Sequence, residues 1–439
     1  MTFAIPHARA AVEALKTGLP SVAGSRLTVP LVDGTQVQYA NLDHAASAPC
    51  LDAVQDAVDE LLPWYASVHR GAGFASQVST KVYEKARQVV REFVRARRTD
   101  EVVFTRNTTD ALNLLARAVP ANTSVVVFDT DHHAALLPWR GPNVHRVTPT
   151  ANVDGDLNEA LARTPAGPRL VVVTGAANVT GELWPVARLA AVARRHGARV
   201  VLDAAQLAAH RPVDVRELNV DYVVLSGHKL YAPFGAGALV GRADWLRAAY
   251  PYLAGGGATR LVTERAVSWN HGPERHEAGS PNVVGAYALA VACQTLRRSW
   301  DAVVAHEEEL LARLRTGLAS IPGVRQLSIL GEDAPRVGVV SFTVGDRDPG
   351  LVAAYLSAEY GIGVRDGAFC AHIAVNRLTG GRALRASLGL GSTAEHVDRL
   401  LTALRRLVTD GPARQYELVD GRYAPVEDTR PLPAFLTGL

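Results

Sequence analysis

The sequence predicts an α/β protein: a large domain built on a mostly parallel sheet, joined to a smaller α+β domain. Three observations carry this. From about residue 100, short β-branched runs recur: "EVVFT" (101–105), "SVVVFD" (124–129), "RLVVVT" (169–174), "RVVLDAA" (199–205), "YVVLSG" (222–227) and "GALVG" (237–241). They are apolar throughout rather than alternating, as strands buried on both faces are. Between several of them lie stretches of helical period, such as "TTDALNLLARAV" (108–119) and "VARLAAVARRHG" (186–197), which marks a doubly covered sheet. After about residue 300 the texture changes.

A long helix, "DAVVAHEEELLARLRTGLASI" (301–321), leads into "VGVVSFTV" (337–344) and a helix near 350–359, and a last helix follows at 393–408. The large domain is therefore expected over 40–300, and the small one over 1–39 plus 301–439. The tail from about 411 is Pro-rich and reads as irregular. No internal repeat or low-complexity tract interrupts the chain.

The chain's 439 residues are too many for one simple core. Lysine and arginine number 46 against 43 acidic residues, a net charge of +3, which gives no electrostatic case for nucleic acid or an anionic membrane. The opening "MTFAIPHARAAVEALK" lacks the pattern of a secretory signal, and no run of about 18 apolar residues suits a membrane span. Cys50, Cys293 and Cys370 are too widely spaced for a disulfide framework or a CxxC zinc site. A reducing cytoplasm is the expected compartment.

The sharpest local signal is a lysine. Lys16, Lys81, Lys85 and Lys229 are the only four; arginine supplies the remaining cations. The first three sit in polar, helix-like stretches and read as surface residues. Lys229 follows an apolar strand and precedes a Pro/Gly turn in "YVVLSGHKLYAPFGAG" (222–237). An amine there can do what a guanidinium cannot, which is to lose its proton and attack a carbonyl.

Other strand ends are polar too. Asp203 and Gln206 follow "VVLDAAQ", Ser226 and His228 precede Lys229, and Thr108 and Thr109 open a helix. His132 and His133 follow "VVFDTD", and Asn178 sits in "VVVTGAANVTG". Each alone also reads as an ordinary cap or packing residue. Five polar strand ends on one sheet edge suit pyridoxal 5′-phosphate. That cofactor needs a lysine to carry it, here Lys229, and a carboxylate against its ring nitrogen, here Asp203. It needs a phosphate cradle at a helix N-terminus, here Thr108 and Thr109 with Ser226 and His228. His132 supplies a flat face for the ring.

At this point "SGHKLYAPFGAG", "LDAAQ", "TDHHAALLPW", "NVTGEL", "EAGSPNVVGA" and "GIGVRDGAFCAH" resemble the fold-type I, class V aminotransferase superfamily. More narrowly they resemble its group II cysteine desulfurases and selenocysteine lyases. The resemblance runs from about 41 to 401. It implies the seven-stranded, mostly parallel sheet of that fold, an amino-acid substrate, a homodimer and a sulfur-acceptor protein. It also implies that Gln206 and Asn178 touch the ring hydroxyl and the substrate side, that Thr109, Ser226 and His228 bind phosphate, and that Ser280 in "EAGSPN" reaches the phosphate of the neighbouring subunit. Arg385 would hold the substrate carboxylate, with Arg365 on the substrate side.

Cys370 decides the reaction. On the residues alone, a Gly-containing loop with Arg365 and His372 nearby suits either a reactive thiol or an inert loop cysteine. The resemblance makes Cys370 the persulfide carrier: Lys229 takes the α-proton, the Cys370 thiolate takes the sulfur of cysteine (or selenium of selenocysteine), alanine leaves, and His132 moves a proton to or from the leaving thiol. The chain departs from the pattern just before that cysteine, where Ala368 and Phe369 stand in place of polar residues often found there. A C–S lyase, epimerase or aminotransferase on a specialised amino acid is the alternative. Cys293, in a helical pattern, and Cys50, after Pro49, read as small buried residues. Gly235, Gly237 and Gly241 match a dinucleotide fingerprint in spacing, but their last five residues read as a strand. Cys370 and His372 lack the second pair that zinc requires.

Overall fold

The computed structural model describes residues 18–438; Lys16 and the N-terminal part of the expected small domain lie outside them. The large sheet has seven strands: β1 (Asp100–Thr105), β2 (Ser124–Phe128), β3 (Val144–Val147), β4 (Arg169–Thr174), β5 (Arg199–Asp203), β6 (Tyr222–Ser226) and β7 (Gly237–Arg242). Their order is β1-β7-β6-β5-β4-β2-β3. All neighbours are parallel except β7, which runs antiparallel to both β1 and β6. Strand β3, "VHRV", is short and half polar, so its pattern carried no strand signal.

The apolar runs are buried on both faces. Val126 and Phe128 of β2 enter one core with Val171, Val173, Val200 and Leu202, while Val125 and Val127 enter another with Leu170, Val172 and Val201. Period-two geometry sends successive side chains to opposite faces, so a strand buried twice has no polar position to spare. Helix α1 (Phe74–Phe93) and the first half of α3 (Val283–Ala319) cover the first face; α2 (Thr108–Ala118) covers the second. The carboxyl ends of β1, β2, β4, β5 and β6 share one edge.

A second, antiparallel sheet orders β8 (Val324–Gln326), β9 (Val339–Val344), β11 (Ala383–Ser387) and β10 (Arg365–Gly367). Its core includes α4 (Pro349–Tyr360), α5 (Ala394–Thr409) and also Ala40 and Leu42 from the N-terminal side. Helix α3 serves both cores: Leu296 and Val303 pack in the first, Leu310, Leu314 and Leu318 in the second. The expected boundary at 300 falls inside this helix. The tail departs from expectation, because Tyr416–Val419 and Arg422–Pro425 pair as an antiparallel hairpin. Its turn residues Asp420 and Gly421 both have positive φ, 50° and 76°, the Asp-Gly signal of a two-residue hairpin. No helix of the described residues is long and apolar enough to cross a membrane.

One buried carboxylate ties the segment that follows β8 to the first core. Glu182, fully buried after β4, accepts from the Ile329 and Leu330 N–H groups at 2.8 and 2.9 Å and from Ser328 Oγ at 2.6 Å. Arg336 Nη2 lies 3.6 Å away. Glu182→Ala strands two amides and a buried guanidinium. It is expected to destabilise the protein by about 3–5 kcal/mol, read as a lowered urea midpoint, with Glu182→Gln less damaging.

Candidate active site

Strand ends, rather than whole elements, build the site. Strand β1 turns at Asn107, whose side chain caps α2 by accepting from the Asp110 N–H at 3.0 Å. That puts Thr108 at the positive end of the helix, where its N–H donates to Ser226 Oγ at 3.0 Å. Thr108 Oγ1 is buried with no hydrogen-bond partner. Gly237 makes this approach possible: a Cβ there would lie 2.7 Å from Asn107 Cα and 2.5 Å from the Leu225 carbonyl oxygen. Gly237 and Gly241 thus serve close strand contacts within β7, and the dinucleotide pattern has no phosphate loop.

A cavity of about 280 Å³ opens at this edge. Thr108, Thr109, His132, Asn178, Asp203, Gln206, Ser226, His228, Lys229, Arg365, Cys370 and Arg385 all line it. Ser280 does not; it is exposed. Its segment is pinned against β1 by Glu277, which accepts from the Phe104 N–H and Tyr83 Oη and pairs with buried Arg87 at 2.8 Å.

Within the cavity Asp203 is buried, and its carboxylate accepts from the Ala205 N–H at 2.9 Å. Burial raises its carboxyl, opposed by that hydrogen bond and by Lys229. Burial likewise pushes the Lys229 ammonium down to about 8, against the pull of Asp203. Cys370 lines the same cavity as Lys229 and Arg385. His132 Nδ1 accepts from the Ala134 N–H at 3.0 Å, so the neutral ring carries its proton on Nε2. Burial, then Lys229, holds that ring down to about 3. Gln206 Nε2 donates to the Ala45 carbonyl at 2.8 Å, and His228 is half-buried with Nδ1 3.4 Å from Ser47 Oγ.

Arg385 is buried. It donates to the Asn178 carbonyl at 2.9 Å and to Asp43 at 3.2 Å, lies over the Phe369 ring at 5.0 Å, and leaves Nε without a partner. Arg365, its cross-strand neighbour, is exposed. Cys370 is also exposed. Phe369 and Cys370 both have positive φ, 51° and 53°, a costly conformation for non-glycine residues. Two bonds hold it: Asn178 Nδ2 donates to the Phe369 carbonyl at 2.7 Å, and the His133 N–H donates to the Cys370 carbonyl at 2.8 Å. Of the other thiols, Cys293 is buried as expected, whereas Cys50 is only half-buried.

These groups fit pyridoxal phosphate. The unpartnered Thr108 hydroxyl at a helix N-terminus suits a phosphate, the buried Asp203 suits a ring nitrogen, and Lys229 faces the same space. Residues 40–400 match the family described as aminotransferase class-V, and the chain belongs to that family; its cofactor is pyridoxal 5′-phosphate. Among its relatives, a cysteine desulfurase of Klebsiella pneumoniae (strain 342) is 38% identical over 392 residues, covering 86% of this chain and 94% of that one. A cysteine desulfurase of Escherichia coli (strain SE11) is 35% identical over the same shares. Two solved structures are similar. The apo cysteine desulfurase of Thermococcus onnurineus NA1 has a TM-score of 0.78 at 30% identity, covering 89% of this chain and 98% of its own. The cysteine desulfurase CsdA of Escherichia coli, in an S-sulfonic acid form, has 0.73 at 30%, covering 84% and 95%.

The sequence reading missed Asn107, Thr174 and Ala45, which also line the cavity, and Asp43 and Asp131, which bond to the lining residues Arg385 and Thr174. Asp131 is buried directly before His132. It accepts from Thr174 Oγ1 at 2.8 Å and the Phe128 N–H at 3.2 Å. Burial pushes it up to about 8, with the hydrogen bond from Thr174 opposing and the charge of Asp203 adding. A carboxyl raised on folding stabilises fully below its unfolded pKa, and that stability is lost as pH rises from about 4 through about 8. Asp131→Asn removes this term. The variant is expected to lose less stability than the parent between pH 5 and about 9, compared by urea midpoints at both pH values.

Proposed function

We propose that this chain is a cysteine desulfurase that moves the sulfur of L-cysteine onto Cys370 and releases alanine. What supports the reading most is one juxtaposition: a half-buried lysine and a buried carboxylate share a cavity with an exposed cysteine, in a chain whose relatives carry that name.

Bound at Lys229, the cofactor supplies the electron sink that loosens the bonds at the substrate's α- and β-carbons. The remaining work belongs to the chain. Arg385 takes the substrate carboxylate with its free Nε, and Arg365 stands beside it at the mouth. Asp203 would keep the ring nitrogen protonated, while Thr108, Thr109, Ser226 and His228 would hold the phosphate. Gln206 and Asn178 fix the ring hydroxyl and the substrate side. Once the substrate amine has displaced it, Lys229, whose ammonium burial holds low, would be free to accept the α-proton near neutral pH. His132 would offer its flat face to the ring, and its Nε2 would move a proton to or from the substrate thiol. The Cys370 thiolate attacks the substrate sulfur; the S–S bond forms as the C–S bond breaks, leaving a persulfide. The same selection would serve selenocysteine. We further propose a two-domain division near 40 and 300, and a homodimer in which Ser280 completes the partner's phosphate site.

Product analysis with free cysteine tests the reaction. Alanine with a persulfide on Cys370 supports it; pyruvate with ammonia indicates a C–S lyase, and a keto acid an aminotransferase. Cys370→Ala is expected to keep the cofactor's absorbance yet lose alanine formation by about a thousandfold, roughly 4 kcal/mol of barrier. An inert loop cysteine predicts near-normal rates instead. For the shared site, Ser280→Ala is expected to weaken cofactor retention, and a monomer that holds the cofactor tightly would contradict it.

A further inference from the structure

The C-terminal hairpin lies beyond residues 40–400 that match the family, yet it is firmly seated. Glu359 on α4 accepts from Tyr416 Oη at 2.9 Å and from the Ala413 and Arg414 N–H groups at 3.1 and 3.2 Å. Its tip, Gly421 to Tyr423, walls a groove of about 570 Å³. The floor of the groove is the small-residue face of α4, Gly350, Ala353 and Ala354, and strand β10 forms the far wall. Arg365 lines both this groove and the active-site cavity, so the two spaces meet at that side chain.

The charges in the groove do not balance. Asp366 is taken by Arg382 at 2.5 Å, and Asp43 by Arg385 at 3.2 Å. Arg365 and Arg422 are exposed, and neither side chain makes a hydrogen bond or ion pair among the described residues. Cysteine has one carboxylate, already matched to the free Nε of Arg385. Two guanidiniums are therefore left over on the solvent side of the site, where Cys370 is exposed. The volume is that of a small-molecule pocket.

We propose that this groove binds the sulfur acceptor, and that the acceptor is a small thiol carrying an anionic group, held between Arg365 and Arg422. The inference rests on the persulfide reading above. The acceptor thiolate attacks the outer sulfur of the Cys370 persulfide. The S–S bond to Cys370 breaks, Cys370 departs as a thiolate, and the acceptor leaves as its own persulfide. No oxidant or reductant is required.

The test uses the holoenzyme with saturating L-cysteine and two probe thiols, 3-mercaptopropionate and its neutral amide. Sulfur transfer is read as acceptor persulfide by mass spectrometry, and the quantity compared is the ratio of the two second-order rate constants. The wild type is expected to favour the anionic thiol by about fivefold at low salt, the scale of a partly exposed charge pair. Arg422→Ala is expected to bring the ratio toward one, Arg422→Lys to keep part of it, and Arg422→Glu to invert it. A ratio near one in the wild type, or one unchanged across the three variants, overturns the proposal. It is overturned too if the variants instead raise KM only for cysteine derivatives bearing a second carboxylate, since the anion then belongs to the donor. Failure of the underlying reading looks different: the wild type would form no Cys370 persulfide with L-cysteine before either thiol is added.

Discussion

The buried guanidinium of Arg385 is the constraint on which the site depends. It projects from β11 of the small sheet, but its partners belong elsewhere: the Asn178 carbonyl after β4, and Asp43 from the N-terminal side. Its face covers Phe369, in the loop that bears Cys370. A buried cation with one nitrogen unpaired is expensive, and only its remaining contacts make it tolerable. Those contacts join three segments far apart in sequence, so the substrate arginine and the cysteine loop cannot be placed independently. Glu182 works in the same direction from the other side, gathering the amides of 329 and 330 to the large core.

The electrostatics inside the cavity follow from burial with few partners. Lys229 and Asp203 are each pushed toward neutrality by desolvation, and each restrains the other. A lysine that was simply paired would stay protonated and be a poor base; one that was simply buried would leave Asp203 unsupported. The arrangement places both near the point where protons move at modest cost. Asp131 adds a second buried acid two strands away, next to His132, raised first by burial and further by the charge of Asp203.

Much of this was legible in the sequence because the chemistry falls at strand ends. An apolar run announces a buried strand, and the polar residue that ends it is then conspicuous, as with Asp203, Ser226 and Thr108. The unusual scarcity of lysine made Lys229 stand out further. What the sequence did not disclose depends on contact across the chain. Asp43, Asp131 and Thr174 have ordinary local settings and become notable only when folding buries them beside Arg385 or Asp203. Strand β3 escaped because "VHRV" has no apolar run. The hairpin at 416–425 escaped for a different reason: surrounding prolines suggested irregular chain, although Asp420-Gly421 is a turn signal with its own mechanism.

The contrast between Lys229 and Cys370 accounts for the shape of the site. The lysine needs desolvation to lose its proton, so it sits at the sheet edge with protein packed around it. The cysteine must meet two partners in turn, a donor held inside and an acceptor arriving from solvent, so it has to stand at the mouth. A side chain on a regular strand or helix would face one or the other. The loop at Phe369 and Cys370 resolves this by adopting two successive left-handed residues, which turns the thiol outward. The strain persists because Asn178 and His133 fix the two carbonyls. Asn178 thereby does two things at once: its carbonyl receives Arg385 and its amide holds the loop, linking the position of the carboxylate-binding group to that of the thiol by a single residue.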